Sequence, residues 1–454
     1  MFTSLRLERF KNFKDAELKL GPFNVLIGAN ASGKSNIRDA FRFLHGIARG
    51  YSLADIIGEK YGEGGEQVWS GIRGGTREIA FSDKRSFALT SQSTLSTELK
   101  QSGDDRESGG EFLCYRIEVE LWQRKLIPRI ISESLSIDDS YNLFSGKFTN
   151  HYSQSLKLYP RCDPVDPYIY SSPRTFPFLG QVAGKLGSWT TNDSRASDME
   201  DVFLKFSQSY YEALLVYRSN RFFDWSPDAM RQPSLPGQDM LGDNGRNLSS
   251  VLHAICQDKQ GKQNLLSWVR ELTPMDAVDF EFPTDSTGKV LATLIERNQQ
   301  KITLASASDG TLRFLAFLAA FLGPHTASFY FFEELENGIH PTRLNLLLDL
   351  IENQVKTKNI QVVATTHSPQ LLGRLSKESL EHASLVYRLP DEPDARIIRV
   401  LDMPDAKRLI RKYKAPELFA EGWFEDTAHY MQPVPDEDTI SNPPTPPRKL
   451  RARA

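Results

Sequence analysis

Along the first thirty residues, apolar positions fall in the two-residue period of strands. Leu5 and Leu7 alternate with Arg6 and Glu8, Ala16 to Leu20 follows a polar turn, and Phe23 to Ile27 is a compact apolar run. The period then lengthens. Ile37, Ala40, Phe41 and Leu44 share one face of a helix predicted over Ser35–Ala48, with Gly46 and Gly50 near its end. Ser86 to Gly110 is rich in Ser, Gly and acids and reads as a mobile loop, and Cys114 to Leu121 returns to strand alternation. Residues 133–200, rich in Ser, Tyr and Pro with short apolar bursts, predict an irregular insertion. Helical periodicity resumes over Met199–Leu215 and Asn247–Leu272. From Phe280 the order is strand, strand, loop, helix, strand, helix, strand, the rhythm of an α/β layer. No internal repeat and no sustained heptad is found.

Composition narrows the class. The 454 residues include 40% hydrophobic and 25% charged positions, ordinary globular values that leave room for a sizeable core. A net charge of −3 argues against a polybasic coat for nucleic acid, while leaving room for a local basic patch. Cys114, Cys162 and Cys256 lie far apart, so neither a disulfide framework nor a CxxC metal knuckle is expected. The N-terminus has no uninterrupted apolar region, and the longest apolar run, Phe314 to Leu322, is about half of what a spanning helix needs. These features predict a cytoplasmic protein with no membrane segment. The last 23 residues, from Gln432, hold six prolines and end in RKLRARA, a composition expected to be disordered.

The chemistry begins at Gly28-Ala29-Asn30-Ala31-Ser32-Gly33-Lys34-Ser35, a full match to GxxxxGK[ST] between a predicted strand and a predicted helix. Glycines let backbone N–H groups curl around phosphates, and the helix N-terminus adds partial positive charge. Lys34 would reach the β- and γ-phosphates, and the Ser35 hydroxyl would ligate Mg²⁺.

Three further segments bear on that site. In Ser328–His340, Phe329 to Phe332 reads as a buried parallel strand with Glu333 and Glu334 at its carboxyl end, where open α/β sheets place ligands. One carboxylate there could hold Mg²⁺ and its neighbour orient an attacking water. Gln361 to Ser368 is a second short strand, ending in His367, whose imidazole could meet the γ-phosphate or the lytic water. Ser306 to Arg313, SASDGTLR, opens a strongly apolar helix. It is either a second anion site or, more plainly, a helix cap made by Ser308 or Asp309.

In this order the segments resemble the ATPase head of the ABC-type class that includes the structural-maintenance-of-chromosomes (SMC) proteins and RecF. LRLERFKNFKDAELKL with FNVLIGANASGKSN is similar to a RecF-like start. ASDGTLRFLAFL resembles the signature helix, FFEELENGIHP the Walker B and D-loop, and ATTHSPQLL the switch-histidine strand. Bacterial AAA-family, RecF-like ATPases are similar in their Glu-Glu pair and short C-terminal extension. The likeness covers roughly residues 1–85 and 215–425. It implies an α/β P-loop NTPase of ABC-head type, with a mixed-sheet N-terminal lobe, a parallel-sheet core and an irregular insertion. Its divisions would be 1–85 and 216–431 for the two halves of the head, 86–215 for a loop and insertion, and 432–454 for the tail.

Carried over residue by residue, the resemblance implies nucleotide contacts from Lys11, Gly28, Asn30, Ser32, Gly33, Lys34, Ser35 and Asn36, with ATP and Mg²⁺ as cofactors. Ser35 and Glu333 would serve the metal, although Glu333 stands where most ABC enzymes have Asp. Glu334 would be the base and His367 the switch. Ser308 and Gly310 would meet the γ-phosphate of a partner, making a homodimer on ATP. Leu335 replaces the usual Pro, and Asp309 the signature's first Gly. The glutamine loop has no clear counterpart, Gln67 being a weak candidate.

The client could be DNA, in repair or in defence against foreign DNA, or a separate protein effector in a defence or toxin–antitoxin-like system. A scaffold that binds ATP without turnover is disfavoured by the Glu pair and His367. An attached nuclease of the OLD type needs EGxxD and a later DxD cluster. Glu421 to Asp426 is only a superficial match, with 28 mostly Pro-rich residues after it.

Overall fold

The computed structural model describes residues 1–94, 112–122, 126–137, 141–148, 153–158, 168–180, 210–211, 213–272, 276–390 and 392–431. The chain opens with a hairpin of β1 (Phe2–Phe10) and β2 (Phe13–Lys19), followed by β3 (Phe23–Ile27), every residue of which is buried. Helix α1 (Lys34–Ala48) then starts at Gly33 and carries the apolar face that its 3.6-residue spacing predicts. A short α2 (Leu53–Ile57), the hairpin β4 (Lys60–Tyr61) and β5 (Gln67–Trp69), and α3 (Gly75–Glu78) lead into β6 (Ser86–Thr94).

β6 corrects the first expectation. The loop predicted from Ser86 begins as a strand, because Phe87 and Leu89 are fully buried and the small Ser91 and Ser93 fit the same interior. The rest of that loop, 95–110, lies outside the described residues. Where it is described, the irregular insertion expected over 133–200 is corrected as well, while 181–200 lies outside the described residues. After β7 (Phe112–Trp122) come β8 (Ile127–Ile137), β9 (Tyr141–Phe148), β10 (Ser153–Leu158) and β11 (Tyr168–Pro173). They extend one antiparallel sheet in the order β11-β10-β9-β8-β7-β6-β1-β2. The Ser-rich alternation ISESLSI of β8 is a strand pattern with hydroxyls and one acid in place of some apolar positions. Glu133 is tolerated there at 1% exposure because it accepts hydrogen bonds from Tyr115 Oη (2.9 Å) and the backbone N–H groups of Phe178 (2.7 Å) and Leu179 (2.9 Å).

The second sheet follows. β12 (Asn220–Phe223), α4 (Pro227–Met230), α5 (Leu248–Gln257) and α6 (Lys259–Leu272) precede a small antiparallel sheet of β13 (Ala277–Glu281), β14 (Thr293–Glu296) and β15 (Lys301–Thr303). The helical stretch expected over Asn247–Leu272 is formed by two helices, since Asp258 between them is extended. Then come α7 (Asp309–Leu322), β16 (Phe329–Phe332), α8 (Pro341–Lys358), β17 (Gln361–Thr366), α9 (Pro369–Leu372), α10 (Lys377–Glu381), β18 (Ala383–Arg388) and β19 (Ala395–Arg399). The short helices α11 (Ala406–Tyr413), α12 (Ala415–Ala420) and α13 (Trp423–Tyr430) end the described chain. The sheet order is β12-β16-β17-β3-β18-β19, parallel except for β19. This is the mixed-sheet lobe on a parallel core expected of an ABC-type P-loop head. The tail from Gln432 lies outside the described residues.

Two hydrophobic cores meet at the parallel sheet. Phe329 and Phe331 of β16 join α1 and the antiparallel lobe, while Tyr330 and Phe332 join α5 to α8 on the other face. α1 thus shares one core with both sheets, which fixes the phosphate loop at its start.

α1 also carries a pH-sensitive group. His45 is buried with Nδ1 2.8 Å from the Tyr217 carbonyl, and desolvation pushes its pKa down to about 4, despite that hydrogen bond. The unfolded chain binds this proton near pH 6.5, so it holds more protons than the fold between pH 6.5 and 4. Stability is therefore complete above 6.5 and falls as pH drops towards 4, by about 3 kcal/mol from this residue. Urea unfolding at stepped pH should show that slope, and His45→Asn, which keeps a donor, should flatten it; an unchanged slope would refute the assignment.

Candidate functional site

Five parallel strands deliver their carboxyl ends to one cleft. After β3 comes the phosphate loop, after β12 Asp224, after β16 Glu333 and Glu334, and after β17 His367, while Arg388 closes β18. The cleft holds about 650 Å³, in the range of small-molecule sites. The residues around it are mostly polar or charged.

The loop has the backbone that its glycines allow. Gly28 has φ 151° and Gly33 φ 121°, and a Cβ on Gly28 would lie 2.1 Å from the Val386 carbonyl oxygen. Lys34 folds back over the loop, donating to the carbonyls of Gly28 (2.6 Å) and Ala29 (2.9 Å), with Nζ 3.4 Å from His367 Nδ1. Desolvation lowers its pKa to about 8, while Glu334, Glu336 and Glu333 pull it upward. Asn30, Ser32, Gly33, Ser35 and Asn36 line the cleft beside it. Ser32 Oγ is buried without a protein partner, a hydroxyl available to a ligand. Asn36 donates to Asn12 Oδ1 (2.7 Å), and Asn12 donates to the Ser32 carbonyl (3.2 Å), bracing the loop from the β1–β2 turn.

The acid pair divides. Glu333 is paired with Arg38 of α1, Nη1 to Oε2 2.5 Å, with both side chains largely buried. Glu334 faces the cleft in a left-handed backbone conformation, φ 48°. Its N–H donates to Thr365 Oγ1 (2.9 Å), its Oε2 accepts from Asn337 (3.2 Å), and its Oε1 is 4.0 Å from His367 Nε2. Glu336 accepts from the His367 N–H at 2.9 Å and so ties the two strand ends together. The departure at Leu335 has a reason here. Its N–H donates to the Thr365 carbonyl at 3.0 Å, a bond that proline could not make.

Five expected positions, Lys11, Gly28, Gln67, Ser308 and Gly310, fall outside the cleft lining. The Lys11 ammonium is buried 2.7 Å from Asp39 Oδ2 and 2.7 Å from the Arg73 carbonyl, so it is committed to an ion pair, and its neighbour Asn12 lines the cleft instead. Gln67 is exposed on the β4–β5 hairpin. Ser308 caps α7, accepting from the Thr311 N–H at 3.2 Å, and Asp309 pairs with Arg231 at 2.5 Å. Gly310 is needed for close approach, since a Cβ there would sit 2.6 Å from the Gly338 carbonyl oxygen. Gly28 meets the site through its carbonyl, which holds Lys34.

Other residues reach the cleft without having been singled out by the sequence. Arg73 donates to the Ser35 carbonyl (2.7 Å) from a turn whose neighbours Gly71, Gly74 and Gly75 all have positive φ. That cluster of glycines around one arginine was the available signal. Arg313 enters from α7, its pKa lowered by desolvation and held up by Asp224, Asp309 and Glu334. Asp224 and Arg388 carried no local signature.

Among the described residues no group of three His, Cys, Asp or Glu side chains stands ready for a metal. Mg²⁺ does not require such a group, because it is held by one or two protein oxygens together with substrate phosphates. Ser35 and Glu333 both line the cleft and are the residues that would hold it.

A phosphate loop at the centre of a parallel sheet, with acids and a histidine on the adjoining strand tips, defines a P-loop NTPase. Over residues 23–118 and 188–373 the chain matches the family described as "AAA domain, putative AbiEii toxin, Type IV TA system". With more than half of its length matched, it belongs to that family. No curated protein matches it. Among solved structures it is similar to an SMC head bound to the C-terminal winged-helix domain of ScpA (12% identity, 87% of this chain and 97% of that one, TM-score 0.47). It is also similar to the SMC head domain of Thermotoga maritima (12%, 88% and 98%, 0.38) and to the Pyrococcus furiosus SMC head bound to ScpA (12%, 90% and 98%, 0.43). Scores this low carry no residue correspondence. No helix among the described residues is long and apolar enough to cross a membrane.

Proposed function

We propose that the protein binds and hydrolyses MgATP and uses the nucleotide to close a homodimer that reopens on hydrolysis. One observation carries this reading. Lys34, His367 and Glu334 form a chain with gaps of 3.4 and 4.0 Å at the tips of neighbouring strands, beside a loop shaped for phosphate. ATP would draw the Lys34 ammonium from the Gly28 and Ala29 carbonyls onto its β- and γ-phosphates. Ser32 Oγ and the backbone N–H groups at the start of α1 would add donors. Glu334, fixed by Thr365 and Asn337, would take the proton of the attacking water, and His367 would sense the γ-phosphate. Bound Mg²⁺ would supply charge neutralisation between the β- and γ-phosphates.

The dimer is inferred from the exposed start of α7. Ser308 and Gly310 lie outside this chain's cleft, so they could meet nucleotide only from another subunit, in an isologous pair with two shared sites. We propose DNA as the client, in repair or in defence against foreign DNA. A second reading, a sensor that controls a separate protein effector, draws support from the toxin–antitoxin wording of the family description.

ATPase rates with and without single- and double-stranded DNA, with the oligomeric mass of Glu334→Gln recorded in ATP, test these together. DNA stimulation with an ATP-dependent dimer is expected. Indifference to DNA with the dimer intact would shift the client to a protein, and absence of hydrolysis would overturn the enzyme.

A further inference from the structure

The Glu333 carboxylate, assigned above to the metal, already has a cation. Arg38 Nη1 lies 2.5 Å from Glu333 Oε2, and the two side chains are only 7% and 14% exposed. Arg38 sits three residues after Ser35 on α1, one turn along the same face. The same Nη1 is 3.8 Å from a second carboxylate, Asp224 Oδ2, which is 69% exposed. Asp224 is held at the end of β12 by its own N–H, which donates to the Asp243 carbonyl at 3.0 Å. One guanidinium therefore stands between a buried acid that lines the metal position and an exposed acid at the rim.

The electrostatics give this arrangement a consequence. A carboxylate buried without a counter-ion is costly, so Arg38 stabilises Glu333 whenever no metal is present. A divalent cation arriving at Glu333 would place like charge beside the guanidinium, and Arg38 could not remain as it is without a new anion. Asp224 is that anion, close enough to be reached by side-chain rotation alone. Glutamate in place of the usual aspartate suits the exchange, because the extra methylene lets the carboxylate reach either partner.

We infer that Arg38 is a resident counter-ion that competes with the divalent cation for Glu333 and passes to Asp224 when the cation binds. Together Arg38 and Asp224 thereby set how much Mg²⁺ the site requires. This rests on the MgATP reading of the cleft.

The test uses the full chain and direct binding. Mn²⁺ affinity of the nucleotide-free protein is read by paramagnetic resonance, and the Mg²⁺ dependence of ATP binding by calorimetry. Arg38→Gln should bind Mn²⁺ alone about tenfold or more tighter than the parent, the scale of one charge-assisted pair. Asp224→Asn should move the half-saturating Mg²⁺ for ATP binding upward by several-fold. Equal Mn²⁺ affinity in parent and Arg38→Gln, or an unmoved Mg²⁺ midpoint in Asp224→Asn, would overturn the inference. Should Arg38→Gln fail to fold, Asp224→Asn, altered at an exposed side chain, still decides it. A parent that binds no ATP at any Mg²⁺ concentration would sink the nucleotide reading instead, and the Mn²⁺ comparison would still report on Arg38.

Discussion

Glu334→Gln is expected to bind ATP as tightly as the parent and to turn it over about 10²- to 10⁴-fold more slowly, the usual contribution of a positioned general base. The isosteric amide keeps the contacts that hold this side chain. The Glu334 N–H still reaches Thr365 Oγ1, and the remaining carbonyl oxygen can still accept from Asn337. What disappears is the oxygen that could accept a proton. If closure depends on the γ-phosphate, as proposed, slowing its loss should let the closed dimer accumulate, so one variant yields a low rate and a doubled mass. A single-turnover assay separates chemistry from product release. A variant that hydrolyses ATP at the parental rate would remove Glu334 from the role and turn attention to Glu336, which reaches the His367 backbone.

Much of this site could be read before the fold was known because its chemistry is local. The phosphate loop needs its glycines, its lysine and its serine within eight residues, and the strand before and helix after it follow from periodicity alone. Glu333, Glu334 and His367 were legible for a related reason. Each ends a short run of buried residues, and a parallel sheet brings the ends of such runs together. What stayed hidden depends on distant partners. Arg38 and Glu333 are separated by 295 positions, and no spacing rule joins them. Asn12 and Lys11 are adjacent in sequence, yet only Asn12 faces the cleft, because Asp39 captures the lysine. Strand β8 was missed because an acid, Glu133, takes one of its core-facing positions between half-exposed serines, so the two-residue period persists while the hydrophobic signal fades.

The start of α7 separates a cap from a signature, and Ser308→Asp tells them apart. Ser308 Oγ accepts from the Thr311 N–H, and aspartate caps helices about as well as serine, so the variant should unfold within a few tenths of a kcal/mol of the parent. A charged substitution such as Ser308→Arg would lose the cap and confuse lost folding with lost assembly. If Ser308 faces a partner's γ-phosphate, aspartate replaces a donor with a negative charge at both sites of a symmetric pair. A hydrogen bond to a charged group is worth about 1.5–3 kcal/mol, so two of them amount to about 3–6 kcal/mol. The ATP-dependent dimer should weaken by about 10²- to 10⁴-fold. Nucleotide binding to the monomer should be spared, since Ser308 does not line its own cleft. Sedimentation of Ser308→Asp in the Glu334→Gln background, with ATP present, reads the outcome. A dimer of parental strength would reduce Ser308 to a helix cap, and ATP binding lost from the monomer would place it in its own subunit's site.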